Sequence, residues 1–153
     1  MRTRRLWPLM VAVATACTGG DQDGTEAEIP AVDSTAMAAE AFDPAGFDTV
    51  SWESSEAAIA RGGVVYSYSC ARCHGLKGFG DGGFVRNGEV LTPPSFHQAN
   101  WEYADDPAAL REMIFTGGEN GMPHWGLEGL KYRDVDAVAR YILENLRAGG
   151  GAD

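Results

Sequence analysis

The pentapeptide Cys70-Ala71-Arg72-Cys73-His74 constrains the fold of this chain more than any other feature. Two cysteines separated by two residues, with a histidine directly after the second, form the signature of covalent haem attachment. Each thiol adds to one vinyl group of the haem, and the histidine becomes an axial ligand of the iron. The motif therefore predicts one covalent haem c, held by Cys70 and Cys73 and ligated by His74.

A pair of cysteines two residues apart also occurs in thioredoxin-like redox proteins and in zinc sites. The chain has one such pair and no second one, and its third cysteine, Cys17, lies far away near the amino terminus. No strand–helix alternation of the thioredoxin kind surrounds the pair. Haem attachment is therefore the favoured interpretation, with a redox or zinc pair as the alternatives.

The amino terminus has the pattern of a secretory signal. Three arginines lie within the first five residues, and the apolar stretch 6–16 follows, which is too short to span a membrane. Ala14-Thr15-Ala16-Cys17 resembles a bacterial lipobox, which predicts cleavage after the signal peptide 1–16 and lipidation of Cys17. The alternative is an ordinary signal peptide that leaves a free thiol at Cys17. The expected location is the periplasmic face of the bacterial cell envelope, with a lipid anchor in the membrane.

The stretch that follows is strongly acidic. Residues 18–56 contain ten acidic residues and no Lys or Arg. Such a segment buries too little apolar surface to offset its ordering entropy, so residues 17–53 are predicted to be a disordered linker. The folded domain is predicted over 54–148, with a flexible tail at 149–153. Three aromatic residues of the linker either pack on the domain or dock on a partner: Phe42, Phe47 and Trp52.

The net charge of the chain is −10. From residue 57 onward there are twelve acidic and nine basic residues, so the predicted domain is only mildly acidic. No basic stripe exists, which disfavours nucleic-acid binding.

Three helices are predicted. The first covers 54–69, capped by Ser54 or Ser55, with Gly62 as the point where another helix crosses it. The second follows Asp106, which caps it, and the third covers 131–147. No strand pattern of any length is present, so the domain is predicted to be all-α.

The loops between these helices carry the remaining candidate residues. Glycines in 75–83 let the backbone wrap the haem edge; the formal GxGxxG match there lacks the flanking strand and helix of a nucleotide site. In the turn that follows, the carbonyl of Pro94, or of Pro93 as second choice, is predicted to accept the free ring N–H of His74. Phe96 is predicted to pack on the haem face.

The second axial ligand is predicted in the glycine-rich loop 117–126. Met122 offers a neutral, soft thioether, which together with a histidine favours ferrous iron and raises the reduction potential. His124 and His97 are the alternative ligands. Trp125 is predicted to seal the haem pocket, although an ordinary core aromatic would have the same placement.

Together, the attachment motif, the proline turn and Gly-Met-Pro at Met122 make residues 54–147 resemble a class I monohaem c-type cytochrome. The resemblance implies an all-α class I cytochrome c fold, with helices packed around one covalently bound haem c. The Cys-His-Gly run and Pro-Pro-Ser-Phe-His are similar to the monohaem lipoprotein subunit of alternative complex III, a quinol-oxidising membrane complex. Residues 121–126 are closer to generic periplasmic cytochromes and to domains fused to oxidases or reductases.

The function predicted from these features is electron transfer, without catalysis by the chain itself and without a small-molecule substrate. The expected partners are redox proteins: a membrane quinol-oxidising complex, a terminal oxidase or a reductase. One alternative is a haem-based gas sensor or peroxidase-like protein with an open distal site. Another is a structural subunit whose haem bridges fixed neighbours.

Overall fold

The computed structural model describes residues 33–118 and 121–149. They belong to the second of two compact units of the chain, residues 32–153. The elements in chain order are α1 (Ser34–Ala41), a 3-10 helix (Pro44–Phe47), α2 (Ser55–Ser69), α3 (Ala71–His74), β1 (Val85–Arg86), β2 (Glu89–Val90), α4 (Pro107–Thr116), α5 (Tyr132–Arg140) and a π-helical segment (Tyr141–Arg147). The predicted signal peptide, the lipidation site Cys17 and the last four residues of the predicted tail lie outside the described residues.

Helix α2 begins where its sequence predicts. The side chain of Ser54 accepts a hydrogen bond from the backbone N–H of Ala57, and Glu56 lies in the first turn, where a negative charge is favourable. The helix ends at Ser69, so that Cys70 caps its carboxyl end. The attachment pentapeptide therefore begins on the last turn of a 15-residue helix.

The predicted crossing at Gly62 is confirmed. A Cβ atom at Gly62 would lie 2.1 Å from the carbonyl oxygen of Ala137 and 2.7 Å from Cβ of Tyr141. Only a residue without a side chain permits this approach, which brings α2 against α5 and the π-helical segment. The main core forms around this contact; its members are Val65, Tyr66, Cys70, Ala71, Phe96, Leu110, Ile114, Phe115, Val135, Val138, Ala139, Ile142 and Leu146.

Helix α4 also follows its sequence signals. The carboxylate of Asp106 accepts hydrogen bonds from the N–H groups of Ala108 and Ala109, and Pro107 occupies the first turn. Gly117 ends the helix with a φ of +71°, in the region that favours glycine.

The predicted linker over 17–53 is corrected for residues 33–53, which pack on the domain. We call residues 33–53 the N-terminal strap. Ala38 is fully buried, Phe42 meets Phe115 edge-on with ring centroids 5.4 Å apart, and Phe47 meets Tyr132 at 4.9 Å. The alternative that Phe42, Phe47 and Trp52 pack on the domain is therefore confirmed, whereas the low average hydrophobicity of the segment concealed its order.

Asp136, on α5, ties the strap to two helices. This buried carboxylate accepts hydrogen bonds from Trp52 Nε1, Arg111 Nη1 and Arg140 Nε, each at 2.9 Å. Burial alone would raise the pKa of Asp136, but the hydrogen bonds from Arg140, Trp52 and Arg111 outweigh it and hold the pKa below its usual value. The carboxylate is therefore charged at neutral pH, which favours all three contacts.

The packed strap also changes the charge of the domain. Six acidic residues and no Lys or Arg lie between residues 33 and 56. The prediction of a mildly acidic domain with a separate acidic linker is therefore wrong, because much of that acidity belongs to the packed structure.

A small hairpin corrects the prediction that no strand exists. β1 and β2 pair antiparallel, with Val85 opposite Val90 and Arg86 opposite Glu89. Asn87 and Gly88 connect them, with φ values of +52° and +85°. This Asn-Gly pair is the usual sequence of a tight hairpin turn, so a signal for the hairpin was present in the sequence.

Within the described residues, no helix is long and apolar enough to cross a bilayer.

The crossing at Gly62 can be tested against its neighbour. We expect Gly62→Ala to lower the free energy of unfolding by about 2 kcal/mol or more, because the added Cβ meets a backbone oxygen that cannot move alone. Gly63→Ala is the matched control. Its Cβ would first meet the Tyr141 ring at 3.1 Å, and the gain in helix propensity of about 1 kcal/mol offsets that contact. Guanidinium unfolding of the haem-loaded variants measures both; equal losses would contradict the close crossing.

Candidate haem site

The attachment residues are brought together by one turn of helix. The carbonyl of Cys70 accepts hydrogen bonds from the backbone N–H of Cys73 at 3.1 Å and of His74 at 3.0 Å. Residues three and four apart on such a turn lie on the same side, so the two cysteines and His74 share one face. Both cysteines are free thiols.

The two thiols lack the further ligands of a zinc site among the described residues. Cys70 is buried, and burial raises the pKa of its thiol to about 12. A zinc site would need ligands beyond the two cysteines. Among the described residues, no group of three or more His, Cys, Asp or Glu side chains is arranged to hold a metal ion.

The imidazole of His74 is neutral and incompletely hydrogen-bonded. Burial lowers the pKa of His74 to about 4. Its ring stacks on Phe96, with centroids 4.8 Å apart and an interplanar angle of 22°. The buried Nδ1 atom has no hydrogen-bond partner. A neutral imidazole is the form that binds a metal.

The predicted hydrogen bond from His74 to the carbonyl of Pro94 or Pro93 is not formed between these groups. The Pro93 carbonyl oxygen instead lies against Gly80, where a Cβ atom would approach it to 2.1 Å. The buried Nδ1 atom of His74 has no hydrogen-bond partner, so it donates to neither carbonyl.

The glycine-rich loop 75–83 contacts the backbone of the attachment pentapeptide. The N–H of Gly80 donates to the carbonyl of His74 at 2.9 Å, and the N–H of Gly82 donates to the carbonyl of Cys73 at 3.2 Å. A Cβ at Gly82 would lie 2.4 Å from the carbonyl oxygen of Arg72. The loop thus braces the backbone of the attachment motif.

Tyr66 fixes the end of this motif from inside the core. Its buried hydroxyl donates a hydrogen bond to the carbonyl of Gly75 at 2.6 Å, and burial raises the pKa of that hydroxyl. Gly75 has a φ of +79° and directly follows His74. The hydrogen bond of Tyr66 has no signal in the sequence.

The loop that carries Met122 closes on itself. The N–H of Gly118 donates to the carbonyl of Met122 at 3.2 Å, and the N–H of Gly126 donates to the carbonyl of Phe115 at 2.9 Å. Met122 and Trp125 are half-buried and pack against the core cluster that contains Cys70 and Phe96. The predicted site residues therefore border one shared apolar region.

Both ring nitrogens of His124 are engaged. Nδ1 bonds to the carbonyl oxygen of Thr116, which can only accept, so Nδ1 carries the proton. In the neutral ring, Nε2 then accepts from the hydroxyl of Ser34 at 3.0 Å. His97 is also engaged, since its Nε2 lies 2.8 Å from the carbonyl oxygen of Lys77.

The hairpin contacts the same loop from another side. Arg86 Nη1 donates to the carbonyl of Gly121 at 3.2 Å, one residue before Met122. Neither Arg86 nor Ser34 was identified from the sequence. The Asn-Gly turn could have indicated the position of Arg86, whereas nothing in the sequence connects Ser34 with His124.

The described residues fit a covalent haem. Two free thiols and a neutral imidazole share one helical turn, the imidazole has a buried nitrogen without a partner, and apolar side chains border the turn. Cys70 and Cys73 would form the thioethers and His74 would ligate the iron.

Comparison with known proteins agrees with this site. The family described as cytochrome c oxidase, cbb3-type, subunit III matches residues 57–142. The chain belongs to this family. Its members' cytochrome c domain confirms the predicted all-α class I fold, the covalent haem c and electron transfer, and does not favour the gas-sensor or peroxidase alternative.

One curated relative is the cbb3-type cytochrome c oxidase subunit CcoP of Azospirillum sp. (strain B510). It is 34% identical to this cytochrome over 93 residues, which cover 61% of this chain and 29% of that protein. The chain therefore spans less than a third of the length of this relative. No solved structure matches the chain.

The hydrogen bond from Tyr66 can be tested without disturbing the attachment residues. We expect Tyr66→Phe to lower the free energy of unfolding by about 1–3 kcal/mol, because it leaves the buried Gly75 carbonyl without its donor. Tyr68→Phe is the control, since this side chain on the same helix is 58% exposed; its effect should stay within about 0.5 kcal/mol. Denaturant unfolding measures the free energy of unfolding of both variants. An unchanged value for Tyr66→Phe would refute the bracing role of this hydrogen bond.

Proposed function

We propose that this cytochrome is a periplasmic-side electron carrier whose haem iron has His74 and Met122 as axial ligands. The observation that carries the proposal is the single helical turn that gathers Cys70, Cys73 and His74. The haem c, when bound, supplies a one-electron iron couple. The residues of the chain hold it, orient it and exclude water from it.

Each residue at the site has a defined role in this proposal. His74 offers its neutral imidazole, and the stacked ring of Phe96 fixes the plane of that imidazole. Met122 offers a neutral thioether, which favours ferrous iron and a high potential. Trp125 and Phe96 border the apolar region against water.

The contacts of the two histidines favour Met122 as the distal ligand. To bind iron, His124 would have to give up its bond to Ser34 or to Thr116. His97 would have to ligate through Nδ1 while Nε2 holds the Lys77 carbonyl. Met122 needs no hydrogen bond of its side chain to be broken, because a thioether is only a weak acceptor.

The distal ligand can be tested with two methionines of the same region. We expect Met122→Ala to abolish the weak methionine–iron charge-transfer band of the oxidised protein. It should also lower the midpoint potential, by a sizeable part of the roughly 0.8 V range that axial ligands span. Met113→Ala, on the neighbouring helix α4, is the matched control and should keep both. Optical spectra and a redox titration measure these effects.

The assignment fails if the band survives in Met122→Ala. A band that is absent from the unmodified protein would point instead to a histidine, and spectra of His124→Ala and His97→Ala would then identify it.

The family and the predicted periplasmic location support membrane redox complexes as the partners of this cytochrome. The relative CcoP is named as an oxidase subunit, which supports a terminal oxidase as electron acceptor. The Pro-Pro-Ser-Phe-His resemblance supports a quinol-oxidising complex as an alternative partner. We propose that the chain passes single electrons between such membrane complexes or belongs to one of them.

The lipid anchor at Cys17 has its own test. We expect the unmodified protein, matured in a bacterial periplasm, to pellet with membranes and Cys17→Ser to appear in the soluble periplasmic fraction, because the variant lacks the thiol that carries the lipid. Fractionation followed by haem staining measures the distribution. Equal distribution of the two proteins would contradict lipidation.

A further inference from the structure

The N-terminal strap begins beside the loop that carries Met122. The family match covers residues 57–142, so the strap, residues 33–53, lies outside it. Its α1 packs against α4, and its 3-10 helix packs against α5.

Two contacts connect the beginning and middle of the strap to that loop. Ser34 donates to Nε2 of His124, two residues after Met122. Phe42 meets the ring of Phe115 edge-on at 5.4 Å. Phe115 in turn holds the far end of the loop, since its carbonyl accepts from Gly126 and its ring leaves no room for a Cβ at Gly126, which would approach to 2.4 Å.

The rest of the strap is secured on α5, where Tyr132 also stacks on Phe115 with ring centroids 5.1 Å apart. The N–H of Asp43 donates to the hydroxyl of Tyr132 at 2.9 Å, and Phe47 packs edge-on against the same ring. Trp52 donates to Asp136. These contacts hold the strap on α5. Ser34 and Phe42 therefore contact His124 and Phe115 from a segment that is itself fixed on the domain.

We propose that the N-terminal strap is a positioning element for the Met122 loop. Ser34, through His124, and Phe42, through Phe115, restrain the loop residues directly after Met122 and so keep its thioether at the iron. The inference rests on the proposed ligation by Met122. Ser34 and Phe42 are positioning residues, because neither is assigned a contact with the iron.

The test measures how readily the loop opens. Imidazole binds ferric iron only when the methionine has left, so its association rate reports loop opening in the haem-loaded full chain. We expect Phe42→Ala to raise that rate about tenfold. Ser34→Ala should raise it about fivefold, the factor given by the loss of one ordinary hydrogen bond.

Trp52→Ala is the matched control. It removes a large aromatic side chain from the same strap, but one that donates to Asp136 and lies under the guanidinium of Arg133 rather than against Phe115. Global stability of every variant is measured in parallel by guanidinium unfolding. The proposal holds if Phe42→Ala speeds imidazole binding more than Trp52→Ala does for the same loss of stability.

The proposal is overturned if the rates rise only in proportion to the loss of global stability, or if Ser34→Ala and Phe42→Ala bind imidazole as slowly as the unmodified protein. The charge-transfer band separates this failure from a failure of the proposed function. An unmodified protein that lacks the band overturns both the Met122 ligation and the strap's role, whereas a present band with unchanged rates overturns the strap's role alone.

Discussion

The close contact of α2 with α5 at Gly62 determines where the attachment motif lies. Because the Ala137 carbonyl occupies the space of a side chain at Gly62, α2 has one rotational setting and one axial position against α5. Eight residues later Cys70 caps the end of this helix, and its carbonyl gathers Cys73 and His74 into one turn. The position of the thiols is therefore set by backbone packing, and Tyr66, one turn after Gly62, fixes the residue after His74 through the Gly75 carbonyl.

The parts of the fold that could be predicted are those specified by neighbouring residues. The cap at Ser54, the Asp106-Pro107 start of α4 and the spacing of the pentapeptide are local signals, and each is confirmed. Packing of the strap's aromatic residues on the domain was one predicted alternative. The order of the whole strap could not be predicted, since it depends on partners such as Phe115, Tyr132 and Asp136, which lie more than 70 residues away along the chain. The average hydrophobicity of the segment does not reveal this, because a few aromatic side chains with specific partners on the domain offset the entropy lost on ordering.

The ordered strap changes the electrostatic character of the cytochrome. Its carboxylates at Asp33, Glu40, Asp43 and Asp48 are exposed on the folded surface, so their field moves with the haem domain. A fixed negative field steers association toward basic surfaces and falls off over a Debye length of about 8 Å at physiological salt. The charge that an independent linker would have spread over many conformations is thus concentrated beside helices α4 and α5.

The glycines of the Met122 loop give a physical reason for the proposed external restraint. Gly117 and Gly121 both have positive φ values, and glycine loses more backbone freedom on ordering than any other residue. A thioether bond to iron would have to offset that entropy unless other contacts order the loop beforehand. Arg86 holds the loop at Gly121, before Met122, and Ser34 holds it at His124, after Met122. Met122 is thus presented between two fixed points, supplied by a hairpin and a strap that precede it in sequence by 36 and 88 residues. In the proposed ligation, polar contacts outside the apolar site therefore set the backbone conformation of the loop, and the side chain of Met122 contributes only the ligand.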